Sequence, residues 1–440
     1  MKANIMGPQL STSLTREARE RPDFVDQHSP EGLRVVQITT SADHASSHIY
    51  PEARVFSPDA RRFVYQRFHN PEQRGGLGRE REYVLCDLAD GCAQIQLTDE
   101  PGAVAPSMTP DGRYVVYLVN ETQPGSGRLL LERVCLETFR REILMVVDRP
   151  PAGQRVVPSR IYVLSTISAD GKRLATQGFL GDGETDDAPW GLLVFDLEKM
   201  ELTVPLEGAD FCNMHPQYCW AAEPALQRDL LVQHNHGSAT DRQGRKITLV
   251  SGEGADVHVI RDDGSEWRDM PWGRDGVEMC QGHQCWRGHR RSAVSSMVST
   301  VSRNCDLIEG LPVACSREEA HQGRTTPGAA RWETSRGFQD PRFWHFAFDP
   351  TGTRLVSDAF AVQERAARIG PLWIGSLEPE EGAAASLHYL LDPRVSLLPG
   401  QRFHPHPFFS PDGKRVFFNS DDLSGVPQIW MAEGFGWPIP

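Results

Sequence analysis

A chain of 440 residues with 39% apolar and 24% charged side chains has the make-up of a globular protein with enough apolar mass for a sizeable core. Its 39 glycines and 32 prolines, spread along the sequence, exclude a mainly helical protein and suggest many short strands and turns. A net charge of −13 without any long Lys/Arg run argues against nucleic acid as a partner, and no stretch approaches the length of a membrane span.

Residues 1–30 are polar and charged, lack the apolar core of a signal peptide, and read as a poorly ordered arm ahead of a single domain over 31–440. The nine cysteines are odd in number and scattered without framework spacing, so reduced thiols and a cytoplasmic location are expected. Beyond the arm, one pattern recurs: an apolar residue, Ser/Thr/Asp, usually Pro, then Asp-Gly or a near relative, a basic residue and an alternating strand. It occurs at Phe56-Ser57-Pro58-Asp59-Ala60, Met108-Thr109-Pro110-Asp111-Gly112 and Ile167-Ser168-Ala169-Asp170-Gly171. It returns at Phe348-Asp349-Pro350-Thr351-Gly352 and Phe409-Ser410-Pro411-Asp412-Gly413. Pro and Asp preset a tight turn and Gly takes the positive φ, so each copy predicts strand, turn, strand.

Neighbouring copies lie 52, 59 and 63 residues apart, and the gap from Asp170 to Asp349 holds three such periods. Two degenerate units are therefore expected near Asp229 and His289, giving seven units of about 59 residues. A unit of that length holds four short strands, such as Tyr83–Leu88 with Ala93–Leu97 and Leu192–Asp196 with Leu202–Val204. The predicted fold is all-β, a seven-bladed β-propeller of four-stranded blades, with Val35–Thr39 completing the blade that carries the C-terminal strands. Ser316–Asp340 reads as a polar Gly- and Arg-rich loop.

Propellers serve as binding platforms as well as enzymes, so the histidines must carry the chemistry. His215-Pro216-Gln217-Tyr218 places a His at a strand start, where it is either a base or an ordinary buried donor. His234-Asn235-His236-Gly237 follows. Cys280-Gln281-Gly282-His283-Gln284-Cys285-Trp286 is dense in Cys and His but matches no common zinc-binding spacing. In His404-Pro405-His406-Pro407, residues i and i+2 of an extended segment project to one side, and the prolines stiffen it. Gln401 stands close enough to add an amide oxygen. The alternative is a pair of histidines bonded to strand ends near the axis.

Together these clusters resemble the oligogalacturonate lyases, cytoplasmic seven-bladed propellers that cleave short pectin fragments by metal-assisted β-elimination. Gln401-Arg402-Phe403-His404-Pro405-His406-Pro407 is similar to that family's Gln-x-x-His-Pro-His-Pro run, and Phe417–Asp421 with Gly425–Trp430 to its closing strands. Gly282–Trp286 resembles a segment that supplies a third imidazole, and His215-Pro216-x-Tyr218 an element whose His is the proposed base. The resemblance implies a divalent metal, Mn²⁺, on His283, Gln401, His404 and His406, with His215 as base and a short anionic oligosaccharide as substrate. Zn, Fe, Co or Ni suits the same donors. A cation on the uronate carboxylate stabilises the charge that develops as the C5 proton leaves, and a neutral imidazole suits its removal.

Two departures stand out. The strand Trp190–Asp196 lacks the family's catalytic Arg, and His234–Gly237 replaces its His-Glu-Gly run. Either another Arg reaches in, with Arg242, Arg287 and Arg324 as the candidates to bind substrate beside His236, or the substrate differs. A non-enzymatic propeller platform of the Ser-Pro-Asp-Gly type is the second reading. It predicts no stoichiometric metal and an exposed apolar patch.

Overall fold

The computed structural model describes residues 5–9, 14–69, 81–249, 255–270, 278–299, 305–314, 330–332, 343–363, 366–376, 386–396, 398 and 403–436. Among them, antiparallel sheets follow one another along the chain as the seven blades of a β-propeller. Blade 1 runs from Ala45–Ser47 through Arg62–Phe68 and Arg81–Asp87 to Ala93–Gln96. Blade 2 starts at Ala103–Met108, blade 3 at Thr166–Ile167 and blade 4 at Gln217–Tyr218. Blades 5, 6 and 7 start at Glu278–Trp286, Phe343–Phe348 and Phe408–Phe409.

The closing strand is where the alternating Val35–Thr39 stretch predicts it. Arg34–Gln37 pairs antiparallel with Gln428–Glu433 and becomes the outer strand of blade 7. The N-terminal segment, expected to be a poorly ordered arm, follows the rim of three blades. Ile5–Gln9 pairs with Arg140–Val147 of blade 2, Thr15 bridges Gln94 of blade 1, and Arg19–Glu20 pairs with Arg34–Gln37. Phe24 is buried with its ring 4.4 Å from that of Trp430.

The repeated turns share one hydrogen-bond pattern. Ser57 Oγ donates to Asp59 Oδ1 and accepts from the Arg62 amide, while Asp59 Oδ1 also accepts from the Arg61 amide. Thr109/Asp111, Ser168/Asp170 and Ser410/Asp412 repeat it. In blade 6 the roles are exchanged, with Thr351 Oγ1 donating to Asp349. Ala60 holds φ 55° where the other copies carry Gly. The two degenerate units also occur, opening the strands Asp229–Asn235 and Ala293–Ser299.

Apolar side chains fill the space between successive blades. Leu85 and Tyr117 pack between blades 1 and 2, Leu131 and Leu174 between 2 and 3, and Trp190 and Leu230 between 3 and 4. Among the described residues no helix is long and apolar enough to cross a membrane, and Cys86, Cys92, Cys135, Cys212, Cys219, Cys280 and Cys285 are free thiols.

Candidate functional site

The inner strands of blades 4 to 7 place histidines at a common level. In each blade one residue closes the turn by donating its amide to the carbonyl that opens the second strand. These residues are Ser57, Thr109, Ser168, Cys219, Arg287, Asp349 and Ser410. Four positions before them stand Ala53, Ala105 and Leu164 in blades 1 to 3, and His215, His283, His345 and His406 in blades 4 to 7. This level stands four residues along the inner segments from the turns.

His283, His345, His404 and His406 converge there. Ring centroids are 3.9 Å apart for His345–His406, 4.5 Å for His283–His345, 5.4 Å for His345–His404 and 5.5 Å for His404–His406. One nitrogen from each of His345, His404 and His406 lies within 4.8 Å of the others. His283 sits in a bulge between Cys280 and Gln284, where Gly282 takes φ 79° against the Gln233 side chain. A second bulge between Phe343 and Phe346 holds His345. Such bulges re-aim side chains that a regular strand would point elsewhere.

The His404–His406 segment converges as its i, i+2 spacing predicts, but His406 does so at φ 44° rather than in plain extended chain. Neighbours hold this strained backbone in place. Asn419 donates its amide N–H to Pro405 O and its side-chain N–H to His404 O, and His48 Nε2 donates to Pro405 O.

Asp358 is fully buried and takes both the backbone N–H and Nδ1–H of His345, each at 2.8 Å. Burial raises its carboxyl to about 7 against those bonds. Burial also lowers the basicity of His283, to about 4, and of His345, His404 and His406, so these imidazoles are neutral. His283 Nδ1, His345 Nε2, His404 Nδ1 and His406 Nε2 have no hydrogen-bond partner among the described residues. Converging neutral imidazoles with unpartnered nitrogens, one of them backed by a carboxylate, fit a divalent transition metal. Gln401 lies outside the described residues.

His215 sits beside this cluster. The Tyr50 ring lies 5.4 Å from that of His215 and 5.0 Å from that of His406. Tyr162 Oη is 2.8 Å from His215 Nε2. In the tautomer whose Nε2–H donates to Tyr162, Nδ1 carries the lone pair of a base. Burial, then the charges of Lys246 and His283, push His215 down to about 3.

The residues expected to bind substrate are not gathered here. Arg287 is buried at the turn end of its strand, donating to Gly352 O and Glu309. Arg242 is exposed on a hairpin loop, its amide bonded to Asp186. His236 joins a second cluster with His234 and His258. Arg324 lies outside the described residues.

Positive charge comes from residues the motifs did not indicate. A cavity of about 290 Å³ is lined by Arg81, Arg160, Arg245, Asn120, Thr122 and Gln243. Arg160 Nε donates to Gln243 O, and burial followed by the Arg245 charge lowers its pKa. In sequence Arg160 stands two residues before Tyr162, the hydrogen-bond partner of His215. A separate cavity of about 320 Å³ lies at the turn end of the axis, where Pro58, Pro110, Pro350 and Pro411 line it together with Glu52 and Arg54.

No family model matches the sequence, and no curated protein matches it. Solved structures do. An oligogalacturonate lyase from Vibrio parahaemolyticus is similar at a TM-score of 0.68 and 18% identity, over 96% of this chain and 98% of that one. An oligogalacturonate lyase in complex with manganese is similar at a TM-score of 0.66 and 17% identity, over the whole of both chains. At this identity the likeness is one of fold.

Proposed function

We propose that the protein is a metal-dependent lyase that cleaves short oligogalacturonides, or a related uronide, by β-elimination to a 4,5-unsaturated product. The observation that carries this reading is the group of four neutral imidazoles with unpartnered nitrogens, set beside a fifth, His215, held by Tyr162. His283, His404 and His406 would hold the metal together with Gln401, and His345 adds a donor that the motif comparison does not supply. Mn²⁺ is the ion we favour, because a structure of the same fold carries it. Bound there, it would neutralise a uronate carboxylate and stabilise the charge that grows on it.

The chain's own residues supply the remainder. His215 accepts the C5 proton, Tyr162 orients its ring, and the substrate carboxylate raises the basicity that burial has lowered. Arg160 and Arg245 offer an anion site for a neighbouring uronate, in the place of the Arg absent from Trp190–Asp196. The free thiols suit a reducing cytoplasm.

Incubation with digalacturonate should give an ultraviolet-absorbing product that disappears with chelator and returns with Mn²⁺. His215→Ala should lower turnover by about 10²–10⁴-fold with bound metal unchanged. No product from any uronide, with metal verified in the site, would overturn the lyase reading, whereas a chain that binds no stoichiometric metal would favour the platform reading.

A further inference from the structure

The second histidine cluster lies away from the axis, on blade 4. On the strand Asp229–Asn235, His234 pairs opposite Asp256, and the neighbouring Val232 pair is His258. Period-2 alternation therefore puts His234, Asp256 and His258 on one face of the sheet, with His236 immediately beyond the strand end. One ring nitrogen from each of the three histidines lies within 4.8 Å of the others.

Asp210 reaches into this group from the segment that leaves blade 3. Its Oδ2 is 2.9 Å from His234 Nε2 and 4.0 Å from His236 Nδ1. In a tetrahedral site with bonds of 2.0–2.1 Å the donors stand about 3.3 Å apart, and these distances bracket that edge. The outer nitrogen of His236 is already oriented by a carboxylate, and a second carboxylate stands near His258. Asp256 Oδ2 is 2.7 Å from His236 Nε2, and Asp269 Oδ1 is 3.1 Å from His258 Nδ1. Both ring nitrogens of His258 are buried with no hydrogen-bond partner among the described residues, so Nε2 is open to a ligand. Phe211 stacks on His234 at 4.1 Å and Trp267 packs against His258 at 4.5 Å, giving the group an apolar floor.

We propose that His234 Nε2, His236 Nδ1, His258 Nε2 and Asp210 Oδ2 form a second metal site, for Zn²⁺, which ties the chain leaving blade 3 to the sheet of blade 4. Three imidazoles and one carboxylate are a zinc-type donor set, and carboxylates on the outer nitrogens are the usual way such rings are fixed. The site is independent of the reaction proposed for the axial histidines. His236 and Asp210 are the half-exposed members, through which the ion would enter.

Chelator-stripped protein would be dialysed against Zn²⁺ and its zinc counted by elemental analysis, for the intact chain, His236→Ala and Asp256→Asn. Loss of one equivalent in His236→Ala is expected, with zinc affinity about 10–100-fold weaker in Asp256→Asn. Co²⁺ in place of zinc should give a tetrahedral visible spectrum that His236→Ala diminishes, and circular dichroism shows that the variant is folded. An intact chain that retains no zinc, or equal zinc in the intact chain and folded His236→Ala, overturns the proposal.

Discussion

Glu52 lies in the wall of the turn-side cavity, close to Tyr50 and Tyr162. Its Oε2 has no hydrogen-bond partner among the described residues, and burial raises its pKa from 4.5 to about 8. The sign of the consequence follows from proton binding. Below pH 4.5 folded and unfolded chains both hold the proton, and Glu52 carries no penalty. Between 4.5 and 8 the unfolded chain ionises while the folded carboxyl stays neutral, so stability falls across that window at about 1.4 kcal/mol for each unit of difference. Glu52→Gln should therefore have little effect on the melting temperature at pH 4.5 and raise it at pH 8. An equal effect at both pH values would show that Glu52 is solvated. Nothing near Glu52 in the sequence signals this, because its environment is assembled from several inner strands.

The blade is the element that makes both the fold and the site partly legible. Its turn is written in local chemistry, a hydroxyl, a carboxylate and a left-handed residue within five positions, so the seven periods could be read before any contact was known. Ser410 shows what that chemistry contributes. Its buried Oγ bonds Asp412 at 2.6 Å and the Arg415 amide at 3.1 Å. Ser410→Ala leaves that amide without its hydroxyl partner and should cost about 1–3 kcal/mol, read as a lower denaturant midpoint at unchanged slope. The same repeat contained the signal for His345, which motif reading passed over. His345 stands four residues before Asp349 as His406 stands four before Ser410, and His215 and His283 hold the same rank. Histidines scattered along the sequence become one constellation only when the blades are laid in register. Arg160 and Arg245 carry no such mark, because Arg245 stands on a hairpin between two strands of blade 4 rather than on an inner strand. Arg287 misled for a related reason: four residues from His283, it lies at the turn end of that strand.

At the scale of the ring, the seam between blades 7 and 1 is where closure and chemistry meet. The closing strand Arg34–Gln37 joins the two ends of the chain. Behind it Phe24 packs on Trp430, and the Arg21 guanidinium lies 5.0 Å from each ring while pairing with Asp422. Across the same seam, on the axial side, Tyr50 and His48 of blade 1 pack on His406 of blade 7. A looser seam should therefore disturb His406 before the ring unfolds. Phe24→Ala removes a buried aromatic side chain and should cost about 3–5 kcal/mol of stability. If seam and site are coupled, the variant should also lose metal faster to chelator at temperatures well below its transition, whereas an equally destabilising change between blades 2 and 3, such as Leu131→Ala, should leave that rate as it is. Equal metal loss in both variants would mean that general instability, and not the seam, governs the site.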